Sequence, residues 1–245
     1  ERDFLEYVQP FARRDFLGKL VLDAGCGFGR HSFFAARYGA EVLAIDSSAD
    51  AVQATAHNTR GLERVHVIQG DLHAPPIREG SVDLAMCFGV LHHLQQADEV
   101  FEVLGRSVRP GGRFSLWVYG PRQGAALTLT QALRGWTVGL EPIELYRLSQ
   151  AIALGLRVFS HTPYRFLRGA PGIGSIVNHL PIHDHHRWPR PVVVADVYDR
   201  LRIPVTDWFK GEQLEVWYAD QGYADVDVTR RVRNNETFLA TGLRR

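Results

Sequence analysis

Lysine is nearly absent from this chain: of its 28 basic residues, only Lys19 and Lys210 are not arginine. Against 27 acidic residues this leaves a formal net charge of +1. A near-neutral chain has no global field of the kind that tracks nucleic-acid phosphates, so a nucleic-acid partner is not expected. Cysteine is as scarce. Cys26 lies in a glycine-rich turn and Cys87 in an apolar run, a spacing that suits neither a disulfide framework nor a metal site, and no metal is expected. No apolar run reaches about 18 residues, so none is a candidate for a membrane-spanning helix. The opening residues ERDFLEYVQPFARR carry too many charges for the apolar core of a secretory signal. A cytoplasmic protein in a reducing compartment is the expectation.

What the chain does have is a 45% hydrophobic composition over 245 residues, enough for one full core with an elaboration. Its organising stretch is VLDAGCGFGRH at 21–31, which reads as strand, glycine turn, helix. Glycine suits such a turn because the backbone needs positive φ and because a ligand can lie directly on chain that lacks Cβ atoms. Asp46 closes a second apolar strand, 21 positions after Gly25. That is about the separation at which a carboxylate reaches the ribose hydroxyls of a nucleoside held on the first turn.

Further strands are predicted at Val65–Gln69, Val82–Phe88 and Arg113–Tyr119, the last fed by an RPGG turn at 109–112. Helices are predicted between them, including Ser48–Arg60 and Asp98–Val108, and an amphipathic helix over Phe4–Phe16 precedes them. That first helix either packs on the sheet or forms a lid carrying Tyr7 or Phe11. The last 35 residues read as a helix, Gly211–Gln221, and a hairpin turning at Asn234-Asn235. The predicted fold is α/β: a Rossmann-like, doubly wound, seven-stranded sheet, mostly parallel with an antiparallel last strand, plus a mainly helical insertion after strand five. The expected parts are a helix or lid at 1–18, a core at 19–119, an inserted cap or substrate-binding region at 120–209 and a closing helix and hairpin at 210–245. The insertion is too long for a loop. Its helices are predicted at Ala125–Trp136 and Ile143–Phe159, and it carries 10 Arg, no Lys and 6 acidic residues.

Four motifs in order, DAGCGFG at 23–29, Asp46, Gly70-Asp71 after strand three and RPGG before strand five, resemble those of the class I S-adenosylmethionine-dependent methyltransferases. The resemblance covers residues 19–118 and fits the closing helix and hairpin. It implies S-adenosylmethionine as cofactor, with Asp23, Gly25 and Gly27 at its methionine moiety and Asp46 at the ribose. It further implies Ser47 on the adenine side, Asp71 and Leu72 at the adenine ring, and Cys87 or Phe88 facing the sulfonium and the substrate. The activity implied is methyl transfer by in-line displacement to a small-molecule acceptor, with oxygen or nitrogen accepting. In such a reaction the protein mainly aligns the reactants and excludes water.

Candidates for proton transfer are His92 and His93 after strand four, Tyr119 at the end of strand five, and His183 and His186 in the HDHH cluster of the insertion. Arg165, Arg168, Arg187 and Arg190 are candidates to grip an anion. Other readings stay open: an RNA or protein methyltransferase, a nicotinamide-dependent Rossmann oxidoreductase, or a nucleoside-binding module without catalysis. Against the oxidoreductase stand a GxGxG turn and the lack of any Tyr-x-x-x-Lys pair. Against base methylation stands FGVLHHL at 88–94 in place of an Asn/Asp-Pro-Pro-aromatic tetrapeptide.

Overall fold

The computed structural model describes residues 2–121, 132–137, 139–178, 180, 183–202, 207–233 and 235–245. Its centre is a seven-stranded sheet: β1 (Leu20–Ala24), β2 (Glu41–Asp46), β3 (Val65–Gln69), β4 (Val82–Phe88), β5 (Val108–Tyr119), β6 (Tyr223–Arg233) and β7 (Asn235–Arg244). The order across the sheet is β3-β2-β1-β4-β5-β7-β6. The first five strands run parallel, and β7 is antiparallel to both β5 and β6. This is the predicted doubly wound sheet. Its strand order reverses direction between β1 and β4, the crevice where such sheets hold ligands.

The helices of this part are α1 (Arg2–Tyr7), α2 (Arg30–Arg37), α3 (Ala49–Asn58) and α4 (Ala97–Ser107). Parallel strands covered on both faces must be apolar on both, and successive residues then enter opposite layers. Val21, Val42, Leu84 and Met86 pack with Phe4, Phe16 and Ala35 on one side. Leu22, Ile45, Ala85 and Cys87 pack on the other with Phe101, Leu104, Leu214 and Tyr218.

Two expectations are corrected here. The single helix over Phe4–Phe16 is instead α1 followed by a 3-10 turn at Arg13–Phe16, because Pro10 has no amide to continue the ladder. RPGG is also not a turn ahead of β5. Val82 pairs with Val108 and Leu84 with Arg113, so residues 109–112 bulge out within the strand. Arg109 uses the bulge to place two N–H groups on Asp83 Oδ1, at 2.9 and 2.6 Å.

Residues 122–204 form a second compact unit, while 1–121 and 205–245 form the first. The described helices of the second unit are α5 (Pro142–Leu156), α6 (Thr162–Leu167), α7 (Gly174–Val177) and α8 (Arg190–Arg202), with a helical stretch at 132–137. Leu145 and Ala153 of α5 meet Val193, Val194, Val197 and Leu201 of α8 in its own apolar core. The helix predicted over Ile143–Phe159 ends as an α-helix at Leu156 and widens into a π turn at Arg157–His161. Pro163 supplies no amide to that turn, and the Arg157 carbonyl accepts both the Thr162 amide and, at 2.7 Å, the Thr162 hydroxyl. Of the helix predicted over Ala125–Trp136, residues 125–131 lie outside the described residues, as does Asn234 of the hairpin turn.

In the first unit, α9 (Gly211–Asp220) returns the chain to the sheet. The Tyr218 hydroxyl lies 3.0 Å from the Phe114 carbonyl and 3.2 Å from that of Ala240. The Tyr223 hydroxyl donates to the Gly105 carbonyl at 2.8 Å. Helix, hairpin and β5 are thereby tied together through buried groups.

Candidate functional site

The tips of β1 and β2 build the site. Gly25, Gly27 and Gly29 have φ values of +78°, +54° and +75°, in the region that favours glycine. Their surroundings differ. A Cβ on Gly25 would stand 2.3 Å from Val90 Cγ2, and one on Gly29 would stand 2.9 Å from Thr55 Cγ2, so both glycines also serve close packing. A Cβ on Gly27 would meet no atom within 4 Å. Gly27 therefore borders open space, and the backbone there is accessible to a ligand.

Asp46 at the end of β2 holds this turn. Its Oδ2 accepts from the Gly27 amide at 3.0 Å and its Oδ1 from the Ser48 amide at 3.0 Å. Each oxygen keeps a lone pair for a further donor. The Thr55 hydroxyl from α3 donates to the Gly27 carbonyl at 2.8 Å, and the Asn58 amide to the Phe28 carbonyl at 2.9 Å. The glycine turn is thus fixed on three sides by groups from β2 and α3.

Asp23, at the end of β1, is only 1% exposed. The Ser32 hydroxyl donates to its Oδ2 at 2.6 Å. Burial pushes the carboxyl up from 3.8 to about 6, against the lowering effect of Ser32. A carboxylate in this position gains from a cation brought next to it. Beside it Cys26 is buried, with its thiol pushed up to about 12 chiefly by desolvation, which leaves it a space filler rather than a nucleophile.

Asp71 follows β3 and is exposed; its Oδ1 accepts from the His73 amide at 3.0 Å and lies 2.8 Å from His73 Nδ1. These bonds hold the carboxyl below its usual value. His73 Nε2 in turn lies 3.0 Å from the Gln95 carbonyl. A ring facing an acceptor at each nitrogen favours its doubly protonated form, and its pKa is raised accordingly, mainly through Asp71. Leu72 is buried in the adjoining core, and Ser47 is exposed beside Asp46.

At the end of β4 the two neighbours Cys87 and Phe88 part company. Cys87 is fully buried among the α4-side core residues and offers no surface to a ligand. Burial raises its thiol pKa strongly. Phe88 faces the other layer, with its ring centroid 5.0 Å from that of His31 and 5.6 Å from that of Tyr7. Tyr7 also approaches His31 and Trp117, at 5.9 and 6.0 Å. From Trp117 the aromatic surface continues to Tyr119 at 5.3 Å, and Tyr119 lies 4.0 Å from His92 and 6.0 Å from both His93 and Trp208. The ends of β4 and β5 therefore present one connected aromatic wall, joined by residues from α1, α2 and the re-entering chain. His92 is fully buried behind it, while His93 and Tyr119 are half-buried.

Tyr7, a lid candidate from the sequence, joins this wall; His31, Trp117 and Trp208 are not legible as site residues in the sequence, because their neighbours lie far away along the chain. His31 Nδ1 is buried without a hydrogen-bond partner, and desolvation lowers the ring to about 3, so the imidazole is neutral at ordinary pH. His183 and His186 lie in the second unit, on the 3-10 turn His183–Arg187. The His183 side chain is outside the described residues. His186 lies 4.9 Å from the Tyr164 ring. Among the described residues no cluster of three metal-ligating groups occurs.

Residues 21–112 match a family model described as a methyltransferase domain. An uncharacterized protein of Synechococcus sp. is 28% identical over 233 residues, spanning 86% of this chain and 52% of that protein. A ubiquinone biosynthesis O-methyltransferase of Xanthomonas oryzae pv. oryzae is 34% identical over 118 residues, 46% of this chain and 47% of the enzyme. The chain thus spans about half the length of these curated relatives. Among solved structures, the 1,6-didemethyltoxoflavin-N1-methyltransferase of Burkholderia thailandensis aligns over 100% of this chain and 79% of its own, with TM-score 0.57 and 14% identity. The magnesium protoporphyrin IX methyltransferase of Synechocystis PCC 6803 aligns over 100% and 77%, with TM-score 0.55 and 15% identity. At these identities the likeness is one of fold.

Proposed function

We propose that this chain is a class I S-adenosylmethionine-dependent methyltransferase that binds S-adenosylmethionine at the tips of β1 to β4 and methylates a small-molecule acceptor at oxygen or nitrogen. The observation that carries the reading is the Asp46 carboxylate, anchored to the Gly27 and Ser48 amides beside a glycine whose missing Cβ leaves open space. When bound, the cofactor supplies a methyl group on a positively charged sulfur.

The chain's own residues would do the rest. Asp46 offers its remaining lone pairs to the ribose diol, with Ser47 on the adenine side. Asp23 places a buried negative charge near Gly25 and Gly27, where it favours a cationic ligand. Asp71, oriented by His73, and Leu72 flank the adenine. Phe88 rather than Cys87 would border the methyl group, since only Phe88 reaches the aromatic wall. That wall orients the acceptor and keeps water out. His93 and Tyr119 carry the exposed part of the proton-accepting candidates, and His92 backs them from the core. We assign the inserted residues 120–209 to acceptor recognition, with His183 and His186 as its candidates for proton transfer.

Calorimetry with S-adenosylmethionine tests the pocket. Asp46→Ala is expected to weaken binding at least tenfold, since a charge-assisted hydrogen bond contributes about 1.5–3 kcal/mol. Unchanged affinity would remove the assignment. A screen of small phenols, amines and carboxylates with methyl-labelled cofactor then identifies the acceptor class, and a chain that binds the cofactor yet labels none of them contradicts the small-molecule reading.

A further inference from the structure

The second unit has a cavity of its own. Arg157, His161 and Arg165 follow one another at intervals of four along the continuous helical path from the π turn into α6, so they share one helix face. His186, Trp188 and Arg190 also line the cavity, and its volume is about 60 Å³. Among the described residues no acidic side chain lines it, and none of the three arginines forms an ion pair or donates a side-chain hydrogen bond. Elsewhere in the same unit arginine is paired in the ordinary way: Arg200 reaches Asp196 at 2.7 and 3.1 Å.

Three solvent-exposed guanidinium groups around one small space concentrate positive charge there. A single carboxylate would leave most of that charge uncompensated. A dianionic phosphate matches it better, and the cavity holds about four to six water-sized centres, on the order of the oxygens of one phosphate group. Arginine is also the residue whose planar fork suits phosphate oxygens. Outside the cavity the chain is apolar: Val158 and Phe159 follow Arg157, Phe166 follows Arg165, and these side chains are 51%, 77% and 75% exposed.

We propose that the second unit carries a phosphate-binding site formed by Arg157, Arg165 and Arg190 with His161 and His186, taking the phosphate group of a molecule that also has an apolar part. The site stands on this unit's own geometry and does not depend on the cofactor reading.

The test is calorimetric titration of the full chain with inorganic phosphate, at ionic strength held constant with chloride. Saturable one-to-one binding is expected. It should weaken at least tenfold in Arg157→Gln and in Arg165→Gln, and more in the double variant. Phosphate should raise the melting temperature of the wild type but not of the double variant. In chloride alone the double variant should melt close to the wild type, because exposed guanidinium groups contribute little to the fold; this separates loss of a site from loss of a fold.

Two further arms identify the source of the phosphate. Cosedimentation with phosphatidylcholine vesicles only when they contain phosphatidic acid, reversed by free phosphate, identifies a lipid headgroup. Tighter binding of phenyl phosphate than of inorganic phosphate, without cosedimentation, identifies a soluble phosphomonoester. Either result upholds the site. The proposal is overturned if no saturable heat exceeds the chloride control, if the double variant binds as the wild type does, or if acetate binds more tightly than phosphate. Cofactor affinity measured on the same samples keeps failure of this site distinct from failure of the nucleotide pocket.

Discussion

Asp23→Asn isolates the cost of a buried carboxylate in the first unit. The carboxyl is 1% exposed and its pKa is pushed from 3.8 to about 6 by burial. An acid whose folded pKa lies above its unfolded value contributes stability that is present below pH 4 and lost as pH rises through about 6. At 1.36 kcal/mol per pK unit, the ionised group costs the folded state about 3 kcal/mol at pH 7. Asparagine is neutral at every pH, and its amide oxygen can still accept from the Ser32 hydroxyl. Urea unfolding without cofactor should therefore show wild type falling behind Asp23→Asn by about 2 kcal/mol between pH 4.5 and 7.5. Cofactor affinity should move the other way, with the variant binding more weakly at pH 7.5 and the gap closing toward pH 5. Asp199, in the second unit, is likewise raised to about 6 by burial. It stays unchanged in both proteins and drops out of the difference. Parallel stability curves for wild type and Asp23→Asn would refute the claim that Asp23 is strained by its burial.

The two inner glycines should separate by phenotype. Gly27→Ala places its Cβ in open space, so circular dichroism should show a folded protein that has lost about 1–3 kcal/mol to the left-handed backbone, while cofactor binding falls at least tenfold. Gly25→Ala drives a Cβ into Val90; it should unfold at lower urea, with partial recovery in the Gly25→Ala, Val90→Ala double variant. In NMR titrations the His73 ring should titrate above the usual 6.5, and Asp71→Asn should lower it, because that carboxylate is the main cause of the raised value. The His73–Asp71 pair accordingly supports the folded loop below pH 6.5 and weakens as pH climbs through the raised pKa. Tyr218→Phe leaves the Phe114 and Ala240 carbonyls without their hydroxyl and should cost about 1–3 kcal/mol in urea unfolding.

What could be read from the sequence was local. Val21 and Leu22 alternate between two apolar layers, Gly27 needs φ of +54°, and Asp46 ends its strand; each follows from residues within a few positions. The features that sequence reading missed depend on partners. RPGG has the composition of a turn, and only pairing of Val82 with Val108 and of Leu84 with Arg113 makes it a bulge. The helix ahead of Pro163 kept its apolar period, which does not reveal that the ladder widens at Arg157–His161. The aromatic wall brings Tyr7, His31, Phe88, Trp117 and Trp208 together from five separate segments, and no window of sequence contains it. One signal was available and unused: His73 lies two positions after Asp71, the spacing at which an aspartate accepts from a downstream amide.

On re-entering the first unit the chain is stapled at once: the Asp207 amide donates to the His92 carbonyl at 2.8 Å and the Phe209 amide to the Tyr119 carbonyl at 3.0 Å. Exit and return are thereby pinned to the same rim of the sheet, whatever lies between. Each doubling of the intervening length adds only about 0.6 kcal/mol of closure entropy. The rim behaves as a socket, in which one segment can be exchanged for another of different size and chemistry while the strands that carry Asp23, Gly27 and Asp46 keep their register.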